Sequence, residues 1–86
     1  MSGVFQRGRV VRSLAGRDKG YLLSVTEAEG SRVYVCDGKE RPIDRPKVKN
    51  SRHLEPTEIF LSEDDMASDR ALRRALKKAG AELSNV

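Results

Sequence analysis

The amino-acid sequence predicts a mainly β fold, a small barrel or sandwich, followed by one C-terminal α-helix. Short apolar runs recur about every ten residues up to Pro56 and are separated by turn-forming residues. After Pro56 the apolar spacing becomes helical. The 86 residues allow one domain with a thin core. We therefore predict a flexible leader (1–6), a β domain (7–58) and a helical extension (59–86).

Five strands are predicted from the apolar runs and the turns between them. In the second run Tyr21, Leu23 and Val25 fall on one face. Asp-Gly at residues 37–38 is a strong hairpin signal, so a fourth strand is predicted directly after it. Pro42 inside this strand and Pro46 after it cut it short and favour an edge or bulged position. The predicted strands cover residues 8–14, 21–26, 31–37, 39–43 and 53–56.

The helix is predicted over residues 63–79. Ser62 is a suitable N-cap, and the three acidic residues after it suit the positive end of a helix. Gly80 is the predicted C-terminal stop, and residues 81–86 are expected to fray. One apolar stripe of the helix needs a partner surface, which is either the β domain of the same chain, as we expect, or another molecule. The stripe contains Leu72, Ala75, Leu76, Ala79 and Leu83.

The net charge of +4 is unevenly placed. Up to Pro56 there are twelve Lys and Arg against seven Asp and Glu, whereas from Thr57 onward there are five against six. A basic first part with a near-neutral tail favours a polyanionic partner for the first part only. The alternative is that the basic residues only keep a small protein in solution.

The sequence offers little for catalysis or metal binding. Cys36 is the only cysteine, which excludes an internal disulfide, and it falls in a strand where a partly buried thiol is expected. His53 is the only histidine and has no ligand cluster at metal spacing. We predict no cofactor, no metal and no enzymatic activity. With no signal peptide and no apolar stretch long enough to cross a bilayer, we predict a cytoplasmic protein without membrane contact.

A loop between two glycines, Gly16 and Gly20, joins the first two predicted strands and has Arg17 and Lys19 at its tip. Glycines remove the Cβ atoms that would keep a phosphate away from backbone N–H groups. The loop therefore suits phosphate binding. It is equally consistent with glycines that only satisfy turn geometry and charges that are solvated.

The stretch from Gly8 to Val25, with its glycine, alternating apolar residues and Gly-x-x-x-Gly turn, resembles a KOW motif. The resemblance extends over residues 5–56, through Asp37-Gly38-Lys39 and the run Pro46-Lys47-Val48-Lys49-Asn50. It is to KOW-bearing large-subunit ribosomal proteins of the archaeal and eukaryotic "fourteen-e" type, and more closely to short bacterial KOW-domain RNA-binding proteins. The resemblance implies an SH3-like five-stranded barrel that contacts RNA, often on the ribosome.

The segment from Lys39 to His53 is the densest basic stretch, and two prolines stiffen it. Cations spaced along an extended, partly rigid loop suit the repeated phosphates of RNA. Asn50 either contacts RNA or makes a local turn through its side chain. The complete set of predicted RNA-binding residues is Arg9, Arg12, Arg17, Lys19, Lys39, Arg41, Arg45, Lys47, Lys49, Asn50, Arg52 and His53.

The predicted function is RNA binding, with structured RNA such as ribosomal RNA as the partner, in translation or ribosome assembly. Ribosomal proteins are further candidate partners, and no small-molecule substrate is expected. Recognition is expected to rest on phosphates and shape, because few aromatic residues can stack on bases. Tyr21 and Tyr34 are either stacked on bases or packed between strands, and we expect packing for at least one of them. The basic helix face between Arg70 and Lys78 is a second candidate contact, with a solvated face as its alternative. The rival function is a protein-interaction adaptor of the transcription or translation machinery.

Overall fold

The computed structural model describes residues 3–84. It contains five strands: β1 (Arg9–Ser13), β2 (Leu22–Glu29), β3 (Arg32–Cys36), β4 (Lys47–Asn50) and β5 (Leu54–Phe60). A short 3-10 helix (Ser51–His53) joins the last two strands, and one α-helix, α1 (Asp69–Ser84), follows. The strands form one antiparallel sheet in the order β4-β3-β2-β1-β5. The fold is thus mainly β with a C-terminal helix, as predicted, and is barrel-like without being closed.

Both faces of the central strands are buried, which explains their nearly continuous apolar runs. On one face Val11, Leu23 and Val35 belong to a cluster that Phe5 also contacts. On the other face Val10 and Cys36 belong to a second cluster, together with residues of α1. The adjacent residues Val10 and Val11 therefore serve opposite faces of one strand.

Helix α1 packs on the sheet of its own chain. Leu72, Leu76 and Ala79 are buried in the cluster that contains Val10 and Cys36. This confirms the expectation that the apolar stripe is covered by the β domain. Within residues 3–84, no helix is long and apolar enough to span a membrane.

The first three strands lie close to their predicted positions. The fifth begins one residue after its predicted start and continues to Phe60, four residues beyond its predicted end, whereas the fourth does not lie where it was predicted. Residues 39–43 form turns, and β4 begins at Lys47. The reason is local, since the Asp37 carboxylate accepts hydrogen bonds from the backbone N–H groups of Lys39 (2.9 Å) and Arg41 (2.8 Å). These bonds hold the chain in a turn at the place where the sequence suggested a strand.

The helix also begins later and ends later than predicted. Ser62 and Asp65 form a reciprocal pair, with backbone-to-side-chain bonds of 3.1 Å in both directions. That pair precedes a separate turn, and Ser68 caps α1 by accepting a hydrogen bond from the N–H of Ala71 (3.1 Å). Gly80 lies inside the helix and does not end it.

The two ends of the chain differ in part from expectation. In the predicted leader, Phe5 packs against the core, and the Val4 carbonyl accepts a hydrogen bond from Arg9 Nε (2.6 Å). Residues 81–84, expected to fray, are helical. The remaining residues of both predicted segments, 1–2 and 85–86, lie outside the described part of the chain.

Candidate nucleic-acid interface

The two basic segments predicted to bind RNA meet around one groove. Its volume is about 310 Å³, and cations from the glycine loop, from the turn after β3 and from β4 line it. The lining residues are Arg17, Asp18, Tyr21, Asp37, Glu40, Arg41 and Lys47. Two segments separated by eighteen residues in sequence, 16–20 and 39–53, thus supply a single surface, which we call the basic groove.

The glycine loop is a tight turn closed by backbone hydrogen bonds. The N–H of Lys19 donates to the Gly16 carbonyl (3.2 Å), and the N–H of Gly20 donates to the Ser13 carbonyl (2.8 Å). Gly16 and Gly20 have φ angles of +89° and +90°. Residues with a Cβ rarely adopt this conformation. The positive φ angles confirm that both glycines meet a conformational demand, although space around Gly20 is open.

A buried ion pair holds this loop against β4. Lys49 Nζ lies 3.1 Å from Asp18 Oδ1 and donates a hydrogen bond to the Ala15 carbonyl (3.1 Å). The Ser13 hydroxyl donates to the same carboxylate oxygen (2.7 Å). Burial alone would raise the pKa of Asp18, but the bonds from Ser13 and Lys49 and the nearby lysine charges outweigh it. The pKa of Asp18 is therefore lowered from its ordinary value.

Helix α1 fixes the other wall of the groove. The carboxylate of Asp69, the first residue of α1, accepts a hydrogen bond from the N–H of Ile43 (2.8 Å). Arg73 Nη1 donates to the Gly38 carbonyl (2.6 Å). A Cβ on Gly38 would overlap the Asp69 carbonyl oxygen. The chain between β3 and β4 is thus clamped against the helix, so that its cations project from a fixed backbone.

The three cations of the basic groove are available for a ligand. The ion pairs found within residues 3–84 join Arg7 to Glu63, Arg12 to Glu55 and Lys49 to Asp18. None of them includes Arg17, Arg41 or Lys47. Two of the three acids that line the groove have structural partners, since Asp18 pairs with Lys49 and Asp37 accepts two backbone N–H groups. The arrangement is able to bind an anion such as a phosphate group.

Four of the predicted RNA-binding residues have structural contacts instead of lying in the basic groove. Arg9 donates to the Thr57 carbonyl (2.6 Å), and its guanidinium lies 4.2 Å from the centre of the Phe60 ring. Arg12 lies 3.9 Å from Glu55 at the surface, and Lys49 forms the ion pair with Asp18. Asn50 accepts a hydrogen bond from the N–H of Arg52 (3.0 Å), which is the local-turn alternative.

The remaining predicted residues are exposed but do not line the basic groove. Lys19 lies in the glycine loop, and Arg45 lies in the segment before β4. Arg52 and His53 belong to the 3-10 helix, outside the lining of the basic groove. Lys39 lines a second depression on the other side of Tyr21, together with residues of α1.

Two cations and one aromatic residue in this region were not among the predicted site residues. The second depression, about 360 Å³ in volume, is lined by Tyr21, Leu22, Asp37, Lys39, Arg73, Leu76 and Lys77. The alternation in the sequence predicts one face for Tyr21, Leu23 and Val25, but Leu23 and Val25 are buried whereas Tyr21 lies just before β2 and is 60% exposed. The basic helix face was recognised, but nothing in the sequence showed which of its cations reach the β domain.

Within residues 3–84, no three histidine, cysteine or acidic side chains are grouped so that they could hold a metal ion. Burial raises the pKa of the Cys36 thiol to about 11, with help from the charges of Asp37 and Asp69. This thiol is therefore protonated at neutral pH.

Comparison with models of known protein families gives no match for this chain, and comparison with curated proteins gives none either.

Proposed function

We propose that this protein is an RNA-binding module of the KOW type, with an SH3-like barrel, that acts in the cytoplasm in translation or ribosome assembly. Its RNA is a structured one such as ribosomal RNA. The observation that supports this most is the basic groove, where Arg17, Arg41 and Lys47 come together from separate segments without ion-pair partners among the described residues.

The rigidity of the groove also favours a binding role. Arg17 projects from a loop fixed by two positive-φ glycines and by the Asp18–Lys49 ion pair. Arg41 projects from a turn held by the Asp37 carboxylate. Backbones that are already ordered lose less conformational entropy when they bind, so more of the electrostatic attraction appears as affinity.

The rival adaptor function loses its best candidate surface. Leu72 and Leu76, which would have formed a protein-binding stripe, are buried against the sheet. An enzymatic role also has little support, since the Cys36 thiol is buried and has a raised pKa, whereas nucleophilic cysteines are exposed and have lowered values. The proposal is accordingly one of binding and not of catalysis.

Salt-dependent RNA binding tests the proposal. Arg17→Gln, Arg41→Gln and Lys47→Gln are combined in one variant, and the affinity for a structured ribosomal RNA fragment is measured over a range of salt concentrations. If all three residues contact phosphates, the slope of log K against log salt becomes shallower by about 2 to 2.7, since each lost contact changes it by about 0.7–0.9.

The matched control is Arg70→Gln, Arg74→Gln and Lys78→Gln, which removes the same charge from helix positions that line neither depression beside Tyr21. We expect this control to affect the slope much less. Equal effects of the two variants would indicate attraction by net charge alone and would contradict a defined site.

A further inference from the structure

Tyr21 is an exposed aromatic residue whose backbone is held on both sides. Its N–H donates to the Asp18 carbonyl (2.9 Å), and its carbonyl accepts from the N–H of Ser13 (2.9 Å). The residue nevertheless remains 60% exposed. An aromatic ring on a fixed backbone loses little entropy when a flat ligand packs against it.

The other three aromatic residues of the chain have structural surroundings. Phe5 packs against the core, Tyr34 is partly buried within β3, and the ring of Phe60 lies under the guanidinium of Arg9. Tyr21 instead borders open space on two sides. Core packing therefore does not account for its ring.

Cations lie on both sides of Tyr21. The basic groove supplies Arg17, Arg41 and Lys47 on one side. The second depression supplies Lys39, Arg73 and Lys77 on the other. Tyr21 lines both depressions, so it lies at the boundary between two groups of three cations.

An aromatic ring between two groups of cations suits an unpaired nucleic-acid strand, because a base can stack on the ring while the phosphates on either side contact the cations. Single strands bind where cations follow the phosphates and an aromatic ring stacks on an accessible base. In a duplex the faces of the bases are covered by their neighbours, so an exposed ring has nothing to stack on. Loops and bulges of a folded RNA offer such accessible bases.

We propose that Tyr21 stacks on an unpaired base in a loop or bulge of the bound RNA. The flanking phosphates contact the basic groove on one side and the cations of α1 on the other. This inference rests on the proposed RNA-binding function and narrows it, because it adds base stacking to recognition by phosphates and shape. It also gives Lys77 a role in binding, and it gives Arg73 a second role beside the bond of its Nη1 to the Gly38 carbonyl.

The test compares a labelled single-stranded RNA of about twelve nucleotides, within the span that small binding domains cover, with the same strand annealed to its complement. Tyr21→Leu should weaken binding of the single strand about five- to 150-fold, which corresponds to about 1–3 kcal/mol for one stacked base. Duplex binding should not change. Tyr21→Phe, which keeps the ring, should bind both RNAs like the parent protein, and so should the control Tyr34→Phe.

Photocrosslinking of the parent protein gives a measurement that does not depend on a variant's stability. A 5-iodouridine in the single strand should crosslink at Tyr21, as identified by mass spectrometry of the crosslinked peptide. Crosslinks only at other residues would overturn the inference, and so would a Tyr21→Leu protein that binds both RNAs like the parent or weakens both equally. If those results come with salt-dependent binding through Arg17, Arg41 and Lys47, only the stacking inference fails. A parent protein that binds the structured ribosomal RNA fragment but neither of these short RNAs also overturns the stacking inference. One that binds none of the three contradicts the proposed function itself.

Discussion

Lys49 Nζ lies 3.1 Å from Asp18 Oδ1, and only 7% of the Lys49 side chain is exposed. This pair joins β4 to the glycine loop and thereby fixes the position of Arg17 relative to Lys47. The sequence pattern suggested that Lys49 contacts phosphate in the same way as its neighbours. In the structure its charge faces inward, so we assign it a positioning role and leave direct contact to Lys47.

Breaking this ion pair is expected to destabilise the protein. Asp18→Asn leaves the Lys49 ammonium without its counter-charge, which should lower the free energy of unfolding by about 1–3 kcal/mol, less than for a fully buried pair because 16% of the Asp18 side chain is exposed. Lys49→Met should have a similar effect. The double variant should lose less than the sum of the two single losses, as chemical denaturation of all three proteins would show. Strictly additive losses would contradict a coupled pair.

The same pair predicts how stability depends on pH. The pKa of Asp18 is lower in the folded protein than the ordinary value of 3.8. The contribution of ionised Asp18 to the free energy of unfolding is therefore fully present above the pKa of the unfolded state. It is lost as the pH falls through the pKa of the folded state. Denaturation curves between neutral and acidic pH should fall more steeply for the parent than for Asp18→Asn. Identical slopes would mean that Asp18 is not ionised in a stabilising contact.

Two glycines of the site are expected to respond differently to substitution. Gly38→Ala combines a φ of +79° with an overlap between the new Cβ and the Asp69 carbonyl oxygen, so the clamp between helix and loop must shift. Gly20→Ala meets open space, and its cost, about 1–2 kcal/mol, comes from the positive φ alone. Thermal unfolding should therefore rank Gly38→Ala as the less stable variant. The reverse order would contradict the close approach at Gly38.

The core contact of the helix is tested by two leucines of the same stripe. Leu72 is fully buried, and Leu72→Ala should lower stability by about 3–5 kcal/mol. Leu83 is only partly buried near the end of α1, so Leu83→Ala serves as the control and should cost clearly less. Equal costs, measured by urea denaturation, would indicate that Leu72 is not packed against the sheet.

Strands β1 to β3 were predictable because their residues are apolar on both faces. Strand β4 was not predictable, since its lysines face inward and its one apolar residue faces outward. Lys47 and Lys49 are the less exposed positions of β4, whereas Val48 is 43% exposed. A lysine faces inward here because Asp18 neutralises it. Such a tertiary pairing leaves no mark in local periodicity.

The boundaries of α1 and the composition of the candidate site also depend on tertiary contacts that local sequence does not reveal. Ser62 and Ser68 are both good caps, and only packing decides that the long helix begins after the second. Gly80 continues the helix beside Leu22, whose Cδ1 would lie 3.6 Å from an added Cβ. The predicted basic segments do meet in one groove, but Arg73 and Lys77 join the site only through the docking of α1 on the sheet.

The most direct test of RNA binding at the basic groove is a nuclear magnetic resonance titration. A protein of 9.6 kDa gives well-resolved amide spectra, so the signals of the ¹⁵N-labelled chain can be followed one by one as a structured ribosomal RNA fragment is added. We predict that the largest shifts fall on the amides of Arg17, Tyr21, Arg41 and Lys47, with smaller changes along β5. Shifts concentrated on β5, or spread evenly over all basic residues, would contradict a binding site at the groove.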